Sequence, residues 1–361
     1  MTEMSHVRLV NVTKRFGAVT AVDSLNLDIE KGECFSMLGP SGCGKTTTLR
    51  MVAGFEDLSE GEIHVGGRLI SSREKNWYLP PEKRDFGMVF QAFAVWPHMT
   101  VYENVAFPLR VRRLPASEVE RRVRDALSST NLLSAANDSP SDLSGGGKQR
   151  VALARALAIN PDVMLLDEPL SSLDPHLREE MRFEIRDLQR RYGFSIIYVT
   201  HDQAEAMALS DRILVMKLGV AQQIDTPLAV YNSPVNRFVF SFIGLSNFLN
   251  VVRGEGGGVF LRDEEGNRGD ALPPDLTPPA SLRNSGDKPF SLASRPSEID
   301  FCDGETGLRG IVSRKSFLGE IVDYQVKVGG QEMRIQKARR APGPDAGKAC
   351  GLRLLRPFWY E

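Results

Sequence analysis

The sequence predicts an α/β domain built on a mostly parallel sheet, followed by a smaller all-β domain. Three observations carry this. Gly39-x4-Gly44-Lys45-Thr46 follows directly on an apolar run, Cys34 to Leu38, and matches a phosphate-cradling loop set between a strand and a helix. Further along, apolar strand-like runs alternate with helical periodicity. Near Gly244 the texture changes to turn-rich segments and short alternating strands.

Residues from about 5 to 35 alternate apolar and polar positions, and VRLVNV (7–12) and LNLDI (25–29) read as strands exposed on one face. CFSML (34–38) is continuously apolar, as a buried strand feeding a phosphate loop should be. Thr46 to Ala53 reads as a helix ended by Gly54. A helical region follows over roughly 92–158. In it, Ser117 and Glu120 are spaced as a capping box, and Val119, Val123 and Leu127 form one apolar stripe. Arg121, Arg122 and Arg124 lie mostly off that stripe and read as a solvated face, not a nucleic-acid patch. Lys148 to Ile159 is a further helix, stopped before Pro161.

Strand-like runs then return at Val163–Leu166, Ser195–Val199 and Ile213–Met216. Between the first two, Pro175 to about Arg191 reads as a helix with Asp174 as N-cap. Leu177, Met181, Ile185 and Leu188 supply its apolar face. Past Gly244, GEGGG (254–258) and LPPDLTPP (272–279) are turn-rich. LRGIVSRKSFLG (308–319) and IVDYQVKV (321–328) alternate, with Gly329-Gly330 as a hairpin turn. The expected domains are 1–243 and 244–361, the second a small barrel or sandwich.

The chain has 361 residues, a length that suits about two domains. A net charge of -1 gives no argument for a nucleic-acid partner. No stretch approaches the ~20 apolar residues that span a bilayer, and the N-terminus lacks the apolar core of a signal peptide. A cytoplasmic protein is expected, with any membrane contact made through a partner. Cys34, Cys43, Cys302 and Cys350 form no CxxC pair, so neither a zinc site nor a redox motif is indicated.

The phosphate loop comprises Gly39, Pro40, Ser41, Gly42, Cys43, Gly44, Lys45, Thr46 and Thr47. Its glycines let backbone N–H groups wrap the β- and γ-phosphates of a nucleotide, and the following helix start adds orphan donors. Lys45 is placed to bridge phosphate oxygens and Thr46 to offer its hydroxyl to Mg²⁺. Cys43 reads as a small residue that fits the loop. Asp167 ends an apolar strand, as a carboxylate that holds Mg²⁺ directly or through a bound water would. Glu168 follows it, placed to orient or deprotonate an attacking water.

In order, GPSGCGKTT (39–47), VFQ (89–91), LSGGGKQR (143–150), MLLDEP (164–169), SSLDP (171–175) and THD (200–202) resemble the ATP-binding cassette (ABC) transporter ATPases over residues from about 5 to 240. The resemblance implies a P-loop NTPase cassette with an inserted helical subdomain, followed by a small OB-like all-β domain. It also implies roles that spacing does not show. Ser144, Gly145, Gly146 and Gly147 cap the γ-phosphate held by the other subunit. Gly147 stands where the family usually has glutamine, which bears on a side-chain contact there and not on the backbone cradle. Gln91 is the family's glutamine-loop residue, a contact for Mg²⁺ and water that also senses the membrane partner. His201 is its switch histidine. Asp174 links the two sites across the dimer, and its N-cap role is compatible with that. Asp202 and Glu205 form an ordinary capping box. Phe16 sits where an aromatic stacks on adenine, with core packing as the alternative. Ala92 to Val105 corresponds to the surface that receives a permease, with Phe93 and Trp96 either interface anchors or buried core.

YLPPEKRDFGMVFQ (78–91), WPHMTVYENVAFPL (96–109) and SRPSEIDF (294–301) resemble the ATPase subunits of bacterial binding-protein-dependent importers for polyamines, ferric iron, sugars, sulfate or phosphonates. The expected molecule is a homodimer with two sandwiched ATPs and Mg²⁺. It engages two integral-membrane permease subunits at the cytoplasmic membrane face and, indirectly, a periplasmic solute-binding protein. Two other readings stay open: a soluble ABC ATPase of nucleic-acid repair or translation, and a regulatory module acting through the C-terminal domain.

Overall fold

The computed structural model describes residues 6–361 apart from 255–257, 263–266, 280–281, 283–289, 304–306 and 342. Glu255, Gly256 and Gly257 of the expected glycine turn lie outside the described residues. The chain forms two compact units, Met1–Pro234 and Val235–Glu361.

The first unit runs β1 (Val7–Phe16), β2 (Val19–Ile29), β3 (Cys34–Leu38), α1 (Lys45–Ala53), β4 (Glu60–Val65), β5 (Arg68–Ser72), β6 (Trp77–Tyr78), β7 (Gly87–Val89), α2 (Val101–Val111), α3 (Ala116–Ser129), α4 (Gly145–Ala158), β8 (Val163–Asp167), α5 (Pro175–Tyr192), β9 (Ser195–Thr200), α6 (Gln203–Leu209), β10 (Arg212–Lys217), β11 (Val220–Asp225) and α7 (Pro227–Asn232). An antiparallel sheet has the order β2-β1-β4-β5-β6. The second sheet has the order β11-β10-β3-β9-β8-β7. Its neighbours from β10 to β7 pair in parallel, and β11 closes the edge antiparallel.

Strands β3, β8 and β9 are buried along their whole length, which explains their unbroken apolar runs. Alternate residues feed two cores. Phe35, Met37, Leu165, Ile197 and Val199 pack with Leu9, Leu27 and Ile29 of the antiparallel sheet and with Leu49 and Val52 of α1. Cys34, Met164, Leu166, Ile196 and Tyr198 pack with Ala152 and Leu153 of α4 and Met181 and Ile185 of α5. The other side of α4, at Val151 and Ala154, joins Val105 and Leu109 of α2 and Val119, Val123 and Leu127 of α3. Helix α4 is thus shared between the α/β core and the helical insertion.

Arg121, Arg122 and Arg124 pair with Glu118, Glu120 and Asp125 at helical spacing, as a solvated face should. The capping box expected at Ser117 and Glu120 is absent. Helix α3 starts at Ala116 behind Pro115, so Ser117 lies inside its first turn, while Glu120 bonds Tyr102 and Arg124. A capping box does form at Thr100 and Glu103, on α2. Helix α4 begins at Gly145, three residues earlier than Lys148, because Ser144 caps it through the Gly147 N–H.

In the second unit, α8 (Arg237–Phe242) precedes β12 (Asn247–Arg253), β13 (Val259–Arg262), β14 (Arg268–Ala271), β15 (Phe290–Ser294), β16 (Ile299–Cys302), β17 (Leu308–Phe317), β18 (Ile321–Val328), β19 (Gln331–Ala338), β20 (Ala349–Leu354) and β21 (Phe358–Tyr360). The orders β14-β13-β12-β15-β21 and β16-β20-β17-β18-β19 give two antiparallel sheets. They share a core in which Leu249, Val251 and Leu292 meet Val312, Tyr324, Val326 and Ile335. Gly329 and Gly330, both with positive φ, make the β18–β19 hairpin turn. The unit starts at Val235, not Gly244, because Phe240 of α8 packs on Phe248, Phe358 and Tyr360.

Candidate active site

Strands β3, β7, β8 and β9 are parallel, so their carboxyl ends share one edge, where ligands of such sheets bind. Each end carries a group singled out by the sequence. The phosphate loop follows β3, Gln91 lies two residues beyond β7, Asp167 ends β8 and precedes Glu168, and His201 follows β9.

Helix α1 starts behind Gly44 with no side-chain cap, so its first N–H groups are left for a ligand. Gly44 has φ 106°, and a Cβ there would sit 2.4 Å from the Ala21 carbonyl oxygen. At Gly39 a Cβ would meet the Met216 carbonyl at 2.5 Å and Cys43 Sγ at 2.6 Å. Backbone room, then, fixes these glycines, and Cys43 packs as the small buried residue expected. Pro40, Ser41 and Gly42 form the exposed lip, with Thr46 and Thr47 half-buried behind it. Lys45 is 5% exposed, and its Nζ donates to the carbonyls of Gly39 (2.7 Å) and Pro40 (3.0 Å).

Thr46 Oγ1 donates to Asp167 Oδ1 at 3.0 Å. Burial pushes the Asp167 carboxyl up, against the opposing pull of the Thr46 hydroxyl bond. Glu168 has φ 46°, in the left-handed region where a side chain costs energy. Its N–H donates to the Val199 carbonyl (2.9 Å), and its own carbonyl accepts from Ser171 N–H (3.2 Å) and Oγ (2.9 Å). These bonds hold the conformation. The Glu168 carboxylate accepts from Gln91 Nε2 at 3.1 Å and faces His201 Nδ1 at 3.2 Å. The carboxylate, just past β8, thus gathers groups from two other strand ends, and Gln91 and His201 are both exposed.

The loop that carries His201 is anchored in a way the sequence did not reveal. Asp202 caps α6 through Ala204 and Glu205 N–H, but Glu205 does not complete a capping box. It is 3% exposed and accepts from Tyr198 Oη and Thr200 Oγ1, both at 2.8 Å. The available signal was Tyr198, a polar tip in the otherwise apolar SIIYVT strand. Arg178 of α5 donates to Asp202 (3.4 Å) and to the carbonyls of Ser171 and Leu173. It joins the segment before Asp174 to the loop after His201.

Other expected residues lie apart from this cluster. Ser144 to Gly147 form the start of α4, and among the described residues no hydrogen bond joins them to the phosphate loop. Instead they lie against Leu143, Leu173 and Leu177; a Cβ at Gly146 would sit 2.8 Å from Leu177, and one at Gly147 3.0 Å from Leu143. Asp174 caps α5, accepting from Leu177 N–H at 3.0 Å. Phe16, at the end of β1, is 46% exposed, which removes the core-packing alternative. Phe93 is half-buried against the α4–α5 core. Trp96, also half-buried, lies 4.6 Å from the Phe107 ring. Neither is the freely exposed anchor or the core residue expected. Trp96, Phe107, Phe86, Met88, Phe90 and Val111 line an apolar groove of about 430 Å³. Among the described residues, no group of three or more His, Cys, Asp and Glu could hold a metal, and no helix is long and apolar enough to cross a membrane.

A family model described as ABC transporter matches residues 22–171, and one described as TOBE domain matches 292–356. The trehalose/maltose import ATP-binding protein MalK of Thermococcus litoralis is 52% identical over 256 residues, 70% of this chain and 69% of that protein. The spermidine/putrescine import ATP-binding protein PotA of Rubrobacter xylanophilus is 46% identical over 352 residues, 96% of this chain and 90% of that one. Among solved structures, cbiO1 of Clostridium perfringens, part of an ABC transporter complex, matches with TM-score 0.57 at 29% identity, covering 63% of this chain and 91% of that one. A dimeric bacterial ABC transporter cassette matches with TM-score 0.53 at 33% identity, covering 61% and 98%. The same cassette, in a post-hydrolysis state bound to ADP and Pi, matches equally well. A phosphate loop at the end of β3, a carboxylate gathering Gln91 and His201, and near full-length kinship to import ATP-binding proteins have one reading: the chain belongs to the ABC transporter family, as an ATP-hydrolysing cassette followed by a TOBE domain.

Proposed function

We propose that this ATPase works as a homodimer that closes on two ATP molecules and powers a binding-protein-dependent importer. The observation that carries the reading is the convergence of Gln91, Glu168 and His201 beside the phosphate loop. Lys45 releases its own loop carbonyls to reach phosphate oxygens, while the uncapped start of α1 receives the phosphate charge. Phe16 stacks on adenine. Glu168 takes up a proton from the attacking water, or orients it, and Gln91 and His201 fix that carboxylate and then the γ-phosphate oxygens. Ser144 to Gly147 of the second protomer cap the γ-phosphate from across the interface, and Asp174 reaches toward the other site.

The residues fit Mg²⁺, since the Thr46 hydroxyl and the Asp167 carboxylate are already paired and Mg²⁺ takes few protein ligands beside substrate phosphates. Held there with Gln91 nearby, Mg²⁺ would neutralise charge on the phosphate oxygens.

Two integral-membrane permease chains would dock at Ala92–Val105 and its apolar groove, placing the ATPase on the cytoplasmic face of the membrane. The solute we favour is a polyamine, supported by spermidine/putrescine import relatives aligned over 92–97% of this chain. None of the relatives described here supports ferric iron. Purifying Glu168→Gln protein with Mg-ATP from native membranes tests the proposal. Co-purification of two hydrophobic permease chains is the expected outcome. Recovery of soluble or nucleic-acid partners alone would overturn the transport reading.

A further inference from the structure

The segment just past Gln91 is strained and tied down by one buried cation. Phe93 and Ala94 both have positive φ, 55° and 50°. The Ala94 N–H donates to the Ala92 carbonyl at 2.5 Å, which makes a three-residue turn about Phe93 in its uncommon, strained form. Arg155 of α4 donates from Nη1 to the Ala94 carbonyl (2.6 Å) and from Nη2 to the Phe93 carbonyl (3.2 Å). Its guanidinium also lies 4.7 Å from the Trp96 ring. Arg155 is only 9% exposed, and burial lowers its pKa with no carboxylate acting against that. A desolvated cation of this kind is tolerated only while those carbonyls and that ring stay in place.

We propose that Arg155 is a positioning residue for hydrolysis: its fork holds the Phe93–Ala94 turn and thereby sets Gln91 against Glu168. The inference rests on the role given to Gln91 above. Helix α4 opens with Ser144 to Gly147, so Arg155 ties the Gln91 loop to the element that would cap the partner's ATP. Asn104 of α2 pins the same segment further along, accepting from Trp96 N–H at 2.8 Å and donating to its carbonyl at 3.1 Å. Among the described residues, Arg155 is the side chain that bonds the Phe93 and Ala94 carbonyls; without it the turn keeps its own Ala94–Ala92 bond and the packing of the Phe93 ring on the α4–α5 core.

A double-mutant cycle on the full-length protein tests this, with turnover read by phosphate release and ATP affinity by calorimetry. Arg155→Met keeps the stem packing and loses the fork. It should lower kcat about tenfold while ATP affinity shifts less than about threefold. Arg155→Lys keeps the charge without the planar fork and should restore only part of the rate. In a Gln91→Ala background, Arg155→Met should have no further effect on kcat, because the residue acts through Gln91. Independent, multiplicative losses would overturn the inference, as would an unchanged kcat in Arg155→Met. If Arg155→Met does not fold, Arg155→Lys enters the same cycle with the same criterion. Should Gln91→Ala alone leave kcat unchanged, the assignment of Gln91 itself fails, and this inference with it.

Discussion

The two halves of the ATP site are built differently. The phosphate loop is one contiguous stretch whose parts bond to one another; Lys45 is 5% exposed and held by carbonyls five and six residues away. The half that would act on water has no such continuity. Gln91 reaches Glu168 across 77 residues, His201 comes from another strand, and Glu168 sits in a left-handed backbone conformation. A preformed cradle can bind nucleotide in any state of the protein. A cluster assembled from three loops works only when all three are in place, so hydrolysis can be made conditional while binding is not.

That contrast can be broken by separating the halves. The largest effect is expected from Glu168→Gln. It keeps shape and loses the carboxylate, so turnover should fall about 10²- to 10⁴-fold with ATP binding retained. Phosphate release and calorimetry on one preparation decide it, and ordinary steady-state turnover would remove Glu168 from its role. Next is Lys45→Ala. Loss of a charged donor to phosphate should weaken ATP affinity about ten- to hundredfold. Unchanged binding by calorimetry would mean that the loop backbone suffices. Gly44→Ala strikes the cradle through its fold: at φ 106°, and 2.4 Å from a backbone oxygen, the new methyl should cost about 1–3 kcal/mol in urea unfolding. An unaltered midpoint would show that the cradle is more pliable than its contacts imply.

The same contrast explains what was legible in the sequence. The phosphate loop, Asp167 and Glu168 could be read because their chemistry is local and their strands are continuously apolar. Phe16 was ambiguous because periodicity does not say which end of a strand is covered, and its exposure settles against the core. The Ser117–Glu120 spacing misled because Pro115 stands at the N-cap of α3, two residues before Ser117, which turns a candidate cap into an ordinary first-turn residue. Glu205 misled for another reason: a Glu at capping-box spacing satisfies itself better on Tyr198 and Thr200, across the strand-to-helix corner. Arg155 and Arg178 had no sequence signal at all. Arg155 donates to backbone carbonyls, and Arg178 to two carbonyls besides Asp202; carbonyls leave no side-chain pattern to read.

A smaller effect should follow from Glu205→Gln, which touches no nucleotide group. The amide accepts hydrogen bonds less strongly than the carboxylate, so Thr200 and the His201 loop are held less firmly. Turnover should drop a few-fold with ATP affinity unchanged. An equal loss of affinity would mean that the loop also shapes the cradle.

The smallest effect concerns acid, at the far end of the strand that carries His201. His6 is 8% exposed, and its Nδ1 bonds Ser195 Oγ at 2.7 Å, at the amino end of β9. Burial lowers the His6 pKa below its ordinary value, with Asp162 opposing and Lys31 assisting the shift. A lowered folded-state pKa means that the unfolded chain takes the proton more readily. The contribution is therefore fully present above about pH 6.5 and is lost as pH falls through the folded value. Urea midpoints should decline between pH 7 and pH 5.5 in the wild-type protein and decline less in His6→Asn, which can keep a polar contact to Ser195. Equal slopes would refute the assignment. Because His6 lies at the edge of the sheet opposite to the phosphate loop, its protonation should loosen the unit without changing the ratio of ATP binding to turnover. An acid effect on that ratio that survives in His6→Asn would point away from His6, and first to Asp167, whose carboxyl burial pushes up beside Thr46.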